Sequence, residues 1–118
     1  MSDRITDLTF LQSFTGGNKE KMNKYMNIFL QLCPTQLEAM QNLLQANNYD
    51  ALRATAHSLK PQVTYMGIKQ GEGIIKNIEQ YAGEKINLDQ LPQLISSFKE
   101  ICDKAIVELK EEVIKGTA

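Results

Sequence analysis

What this chain lacks narrows it first. Among its 118 residues there is a single histidine, with two cysteines and three prolines. Lysine and arginine together number 13 against 14 aspartates and glutamates, so the net charge of −1 creates no general basic field. That balance argues against nucleic acid as the main partner. No apolar run reaches the roughly 18 residues a bilayer crossing requires, and no membrane association is expected. The opening Met1-Ser2-Asp3-Arg4-Ile5-Thr6-Asp7 has no apolar centre of the kind a signal peptide needs, so a cytoplasmic location is expected. Cys33 and Cys102 lie far apart, each inside an apolar helical pattern, and are expected to be buried reduced thiols. Without close spacing, two cysteines and one histidine form no recognisable metal-ligand set. Sustained alternation and hairpin dipeptides are missing as well, which removes strands. A glycine-rich phosphate loop, a serine elbow and an HExxH helix are absent. Glu111-Glu112 and Glu100 with Asp103 read as solvated helix charges, so an enzyme with its own substrate pocket is not expected.

What is present is helical periodicity from end to end. Thr6 or Asp7 is placed to cap a short first helix bearing Leu8, Phe10, Leu11 and Phe14, and Thr15-Gly16-Gly17 ends it. Asn18 then caps a long helix, with Glu20 in its first turn. Its stripe of Met22, Tyr25, Met26, Phe29, Cys33, Leu37, Met40 and Leu44 continues in phase past Pro34, where a bend is expected. The methionines of this stretch are expected in the core. Asn47-Asn48 makes a turn and Asp50 starts the next helix, which Gly67 terminates in a left-handed conformation. Ile68, Gly71, Ile74, Ile75, Ile78 and Tyr81 line the helix that follows. Gly71 and Gly73 lower its intrinsic helicity and are suited to close approach by a neighbour, although simple tolerance explains them equally. Gly83-Glu84-Lys85 reads as a loop. Asn87 or Asp89 caps a last helix with Pro92 in its first turn and a wide apolar side from Leu91 to Leu109, fraying towards Lys115-Gly116-Thr117-Ala118. Long helices with short turns predict one all-α domain over 1–118: an antiparallel up-down four-helix bundle with a short additional N-terminal helix.

The lone histidine stands out on this background. Leu52, Ala56, Leu59, Val63 and Met66 form one stripe of their helix. At about 100° per residue, His57 lies roughly 140° from the middle of that stripe. Lys60 and Arg53 share its outer flank, each one turn away. The helix therefore buries one side while presenting an imidazole and two cations to water. A neutral imidazole is a good nucleophile towards phosphorus, and adjacent cations assist an anionic phosphoryl group by position and field.

Ala56-His57-Ser58-Leu59-Lys60, followed by Met66-Gly67, resembles the signature of histidine-containing phosphotransfer (HPt) domains. Asp7-Leu8-Thr9-Phe10-Leu11 and Thr15-Gly16-Gly17-Asn18 are similar to that family's first helix and turn. The resemblance implies a four-helix phosphorelay carrier, monomeric and not itself an enzyme. In such a carrier His57 is the phosphoacceptor, Lys60 assists with charge and Gly67 is structural; Arg53, from its position one turn before His57 alone, is a weaker candidate to help. The implied partners are response-regulator receiver domains, among them the receiver domain of a hybrid sensor kinase. Mg²⁺ is expected on the receiver, leaving this chain without a cofactor of its own. A helical adaptor that binds a receiver or kinase without being phosphorylated is the alternative. The chain departs from the family pattern at Pro61, where glycine is common, and at Gln62 and Val63, which replace small residues. Proline withholds the amide that would bond the His57 carbonyl, so a kink or widened turn is expected at His57–Pro61. Gln62 is expected on a solvated face, and Tyr65 and Ile68 are read equally as apolar groups exposed near the histidine or as ordinary core or end packing.

Overall fold

The computed structural model describes residues 4–117, with side chains described through Val113. Five α-helices run Thr9–Phe14 (α1), Lys19–Gln45 (α2), Tyr49–Tyr65 (α3), Lys69–Glu84 (α4) and Leu91–Thr117 (α5). No strand occurs among the described residues. α3 packs against α2 and α4, and α5 against the same two, so the long helices close a ring. Short connections make successive members antiparallel, and α1 stands outside the ring as the expected additional helix.

The core is built from the stripes that the periodicity marks. Phe29 and Met40 of α2, Leu52, Leu59 and Val63 of α3, Ile78 of α4 and Phe98 and Leu109 of α5 have no exposed surface. Each such side chain contributes about 1.5–3 kcal/mol through burial. Gly71 faces this core closely: a Cβ there would stand 3.2 Å from the Phe98 ring, which gives the close-approach reading its neighbour. Cys33 and Cys102 are free and buried. Contact with Cys33 and then burial push the Cys102 thiol well above its ordinary value.

Several helix ends fall where local chemistry puts them. Asn18 accepts the Lys21 amide at 3.0 Å and caps α2. Gly67 ends α3 at φ +63°, with the Ile68 amide reaching back to the Val63 carbonyl at 3.0 Å. Other ends differ from expectation. Asn48, rather than Asp50, caps α3 by accepting the Ala51 amide at 3.2 Å, and Asp50 falls in the first turn. Gly83 and Glu84 are helical, and Lys85 in left-handed conformation closes α4. Asn87 opens a 3-10 turn, Leu88–Gln90, that precedes α5; its side chain makes no cap there. The widened turn expected at His57–Pro61 is absent, because α3 continues as α-helix through Pro61, as α2 does through Pro34. α5 stays helical to Thr117 instead of fraying from Lys115, and Ala118 lies outside the described residues.

Ahead of α1 the chain is strapped across the bundle. The Glu108 carboxylate accepts the Ile5 amide at 2.8 Å, the Thr6 amide at 2.9 Å and the Thr6 hydroxyl at 2.7 Å. Thr6 is thereby drawn away from capping, and Asp7 accepts the Thr9 amide at 3.0 Å instead. The Asp7 amide bonds the Met66 carbonyl at 3.2 Å, which seats the strap on the α3–α4 turn.

Two glycines separate strain from tolerance. A Cβ at Gly67 would overlap the Asp7 carbonyl and force a side chain into the left-handed region, whereas Gly73 faces open space. Gly67→Ala should cost about 3 kcal/mol, and Gly73→Ala should add about 0.7 kcal/mol. Urea midpoints measure both, and equal effects would contradict the assignment of the turn. The strap carries a pH signature. Partial burial alone would raise the Glu108 carboxyl, but the Ile5 amide, the Thr6 hydroxyl and amide and Arg4 outweigh it and hold the group below its usual range. Its stabilising contribution is therefore complete above the ordinary carboxylate range and is lost as pH falls through the depressed value. Glu108→Gln should flatten the acid limb of the stability curve, and an unaltered limb would exclude this role.

Candidate functional site

The face that bears His57 is an outcome of packing on the opposite side of α3. Leu52, Ala56, Leu59 and Val63 are fully buried, which leaves the imidazole outermost with its side chain 69% exposed. α4 returns antiparallel after Gly67 and buries Ile75, Ile78 and Ala82. That rotation leaves Glu79 on the flank turned towards α3. His57 and Glu79 stand at nearly equal distances from Gly67 along the two arms of the hairpin, so they meet.

Their contact is the chemical centre of the site. Oε2 of Glu79 lies 2.5 Å from Nδ1 of His57, and its other oxygen, Oε1, accepts from Lys60 Nζ at 2.8 Å. The Glu79 side chain is only 16% exposed. Hydrogen bonding from Lys60 holds its carboxyl below the usual range, against a counteracting penalty from burial and with further help from His57. A carboxylate can only accept, so the short bond places the proton of a neutral ring on Nδ1. Nε2 then carries the lone pair, on the exposed side of the imidazole. The arrangement presents a nucleophilic nitrogen of fixed tautomer beside an ammonium group.

The three candidates read from the sequence are not equally close. His57 and Lys60 share Glu79. Arg53 is exposed one turn earlier on the same flank, and no hydrogen bond or ion pair joins it to either of them. Glu79 was not among the sequence candidates, although it makes both polar contacts of the site. Its signal is the mirrored position about Gly67, which becomes visible once α3 and α4 are paired as a hairpin. Among the described residues, no cluster of three His, Cys, Asp or Glu side chains is arranged to hold a metal ion.

Surroundings of the histidine depart from the sequence reading at Gln62, and at Ile68 the core-packing alternative holds. Gln62 is half-buried, and its Oε1 is shielded from solvent without a hydrogen-bond donor, so the solvated-face assignment is corrected. Replacing a small residue here sets a polar atom against packed neighbours. Ile68 is wholly buried. Tyr65 is half-buried in an aromatic group with Phe10, Phe14 and Tyr25, stacked on Phe14 at 5.6 Å between ring centroids. The exposed apolar surface of this end belongs to Phe10 and Phe14, which are 48% and 52% accessible.

Comparison with known proteins bears on the family and the fold. The family model described as Hpt domain matches residues 24–113, a span that includes His57, Lys60, Glu79 and Arg53. The crystal structure of histidine-containing phosphotransfer protein B (HptB) from Pseudomonas aeruginosa PAO1 superposes with a TM-score of 0.86 at 25% identity. The match covers 97% of this chain and 98% of that one. No curated protein sequence matches the chain.

The bond to Glu79 has a spectroscopic consequence. ¹⁵N-detected long-range correlations of the neutral His57 ring should show the Nδ1–H tautomer in the unmodified protein. Glu79→Leu should admit the Nε2–H form, which free imidazole side chains favour, while Glu79→Gln retains an acceptor and should keep most of the original tautomer. An unaltered tautomer ratio in Glu79→Leu would show that the carboxylate does not select it.

Proposed function

The chain belongs to the Hpt domain family, and on that premise we propose that it is a phosphoryl carrier with His57 as the acceptor. The observation that carries this reading is the exposed imidazole whose Nδ1 is engaged by Glu79, leaving Nε2 to react, with Lys60 alongside.

The step balances without a proton transfer. Nε2 attacks the phosphorus of an aspartyl phosphate on a receiver domain, the N–P bond forms as the acyl O–P bond breaks, and the receiver regains a free carboxylate. The ring keeps its Nδ1 proton and becomes cationic, and the Glu79 carboxylate is positioned to offset that charge. Lys60 faces the phosphoryl oxygens from one turn away. Reversal onto a second receiver completes the relay. This division of labour needs no substrate pocket here, since Mg²⁺ and the acidic residues that bind it reside on the receiver. A monomer is sufficient, because the site comes entirely from α3 and α4 of one chain. The receiver of a hybrid sensor kinase is a suitable donor on the same chemistry.

Incubation with a phosphorylated receiver domain should yield an acid-labile, base-stable phosphate on this protein. His57→Gln should abolish uptake while leaving helical circular dichroism unchanged, since a ring so exposed contributes little to packing. Lys60→Ala should transfer about tenfold more slowly without losing the acceptor. Undiminished labelling of His57→Gln would refute His57 as the acceptor, and a parent protein that takes up no phosphate would leave a non-phosphorylated adaptor in place of the carrier.

A further inference from the structure

The placement of Arg53 is explained by the opposite helix. Its aliphatic stem lies across Gly83, where an added Cβ would stand 2.7 Å from Cδ and 3.1 Å from Nε of the arginine. Gly83 is in the last turn of α4, a position where alanine is the better helix former. The missing side chain makes a notch that holds the arginine stem down between the helices. The notch belongs to an open groove of about 650 Å³, lined also by Lys60, Lys76, Glu79 and Glu84. Of these groups, Glu79 is already shared by Lys60 and His57. Glu84 offsets part of the remaining positive charge. Neither Arg53 nor Lys76 has an ion-pair or hydrogen-bond partner among the described residues.

Lys60 is therefore partly neutralised by its own carboxylate before any phosphoryl group arrives. A dianionic phosphoryl group on Nε2 gains from a second cation that is not so engaged. Arg53 precedes His57 by one helical turn on the same flank, and a planar guanidinium offers paired donors matched to phosphoryl oxygens. We propose that Arg53, seated by the Gly83 notch, contacts the non-bridging phosphoryl oxygens during transfer to and from His57. This deepens the carrier reading and rests on it. Arg53 makes and breaks no bond; it positions the group and lowers the charge repulsion as the donor carboxylate leaves.

A double-mutant cycle isolates the contact, because Gly83→Ala moves the arginine without removing it. Single-turnover transfer from a phosphorylated receiver should be about fivefold slower in Arg53→Ala, the size of a solvent-exposed charge contact. Gly83→Ala should slow transfer similarly although it raises the thermal midpoint, and the combined variant should be no slower than Arg53→Ala alone. Arg53→Lys should recover part of the rate. The same order should appear with phosphoramidate, a small donor that has no docking surface. Unchanged rates in Arg53→Ala, multiplying effects in the combined variant, or a loss confined to the receiver donor would each overturn the proposal. Failure of the carrier reading is distinct: no variant, nor the parent protein, would then take up phosphate.

Discussion

The Glu79 carboxylate is the constraint around which the site is ordered. Its two oxygens are divided between a ring nitrogen and an ammonium group, at 2.5 and 2.8 Å. One bond fixes which imidazole nitrogen is free, and the other holds Lys60 beside the same ring. The carboxylate can do both because it is mostly withdrawn from water, where bonds to charged groups are stronger and less screened than at an open surface. The histidine, in contrast, stays exposed, as the proposed acceptor role requires. A shielded carboxylate and an accessible ring thus share one bond.

That bond depends on the α3–α4 hairpin having one register. Gly67 turns the chain in a conformation that a side chain would strain, and the strap from Ile5 to Asp7 leaves no room for a Cβ at the turn. Fully buried stripes on α3 and α4 then fix the rotation of each helix about its axis. A rotation of α4 by one residue would carry Glu79 about 100° away from His57. Core packing therefore supports the site through orientation. Pro61 fits the same scheme: α3 continues through it, and the stripe on either side remains buried.

Features governed by nearby residues were legible in the sequence. The helical class, the Asn18 cap, the Gly67 terminus and the exposed position of His57 with Lys60 all follow from patterns spanning a turn or two. Glu79 was not legible, because an isolated glutamate on α4 looks like any solvated charge until the hairpin register is known. The Thr6–Glu108 strap failed for the same reason, its partners being separated by nearly the whole chain. At Gly83, loop-forming composition suggested a break, whereas contact with the Arg53 stem explains a glycine inside a helix. Gln62 was misassigned because its own position on α3 is half-buried, which is visible only once the neighbouring helices are packed. The matched Hpt domain model spans residues 24–113, far beyond the segment where local pattern was most informative.

The central claim is that Nε2 of His57 is the atom that accepts the phosphoryl group. The most direct measurement is ³¹P–¹⁵N correlation on protein phosphorylated by a receiver domain, which reports the nitrogen bearing phosphorus and the residue that owns it. The account predicts one phosphoramidate, on Nε2 of His57, with the proton still on Nδ1. Phosphorus on Nδ1, or on any other residue, would contradict it.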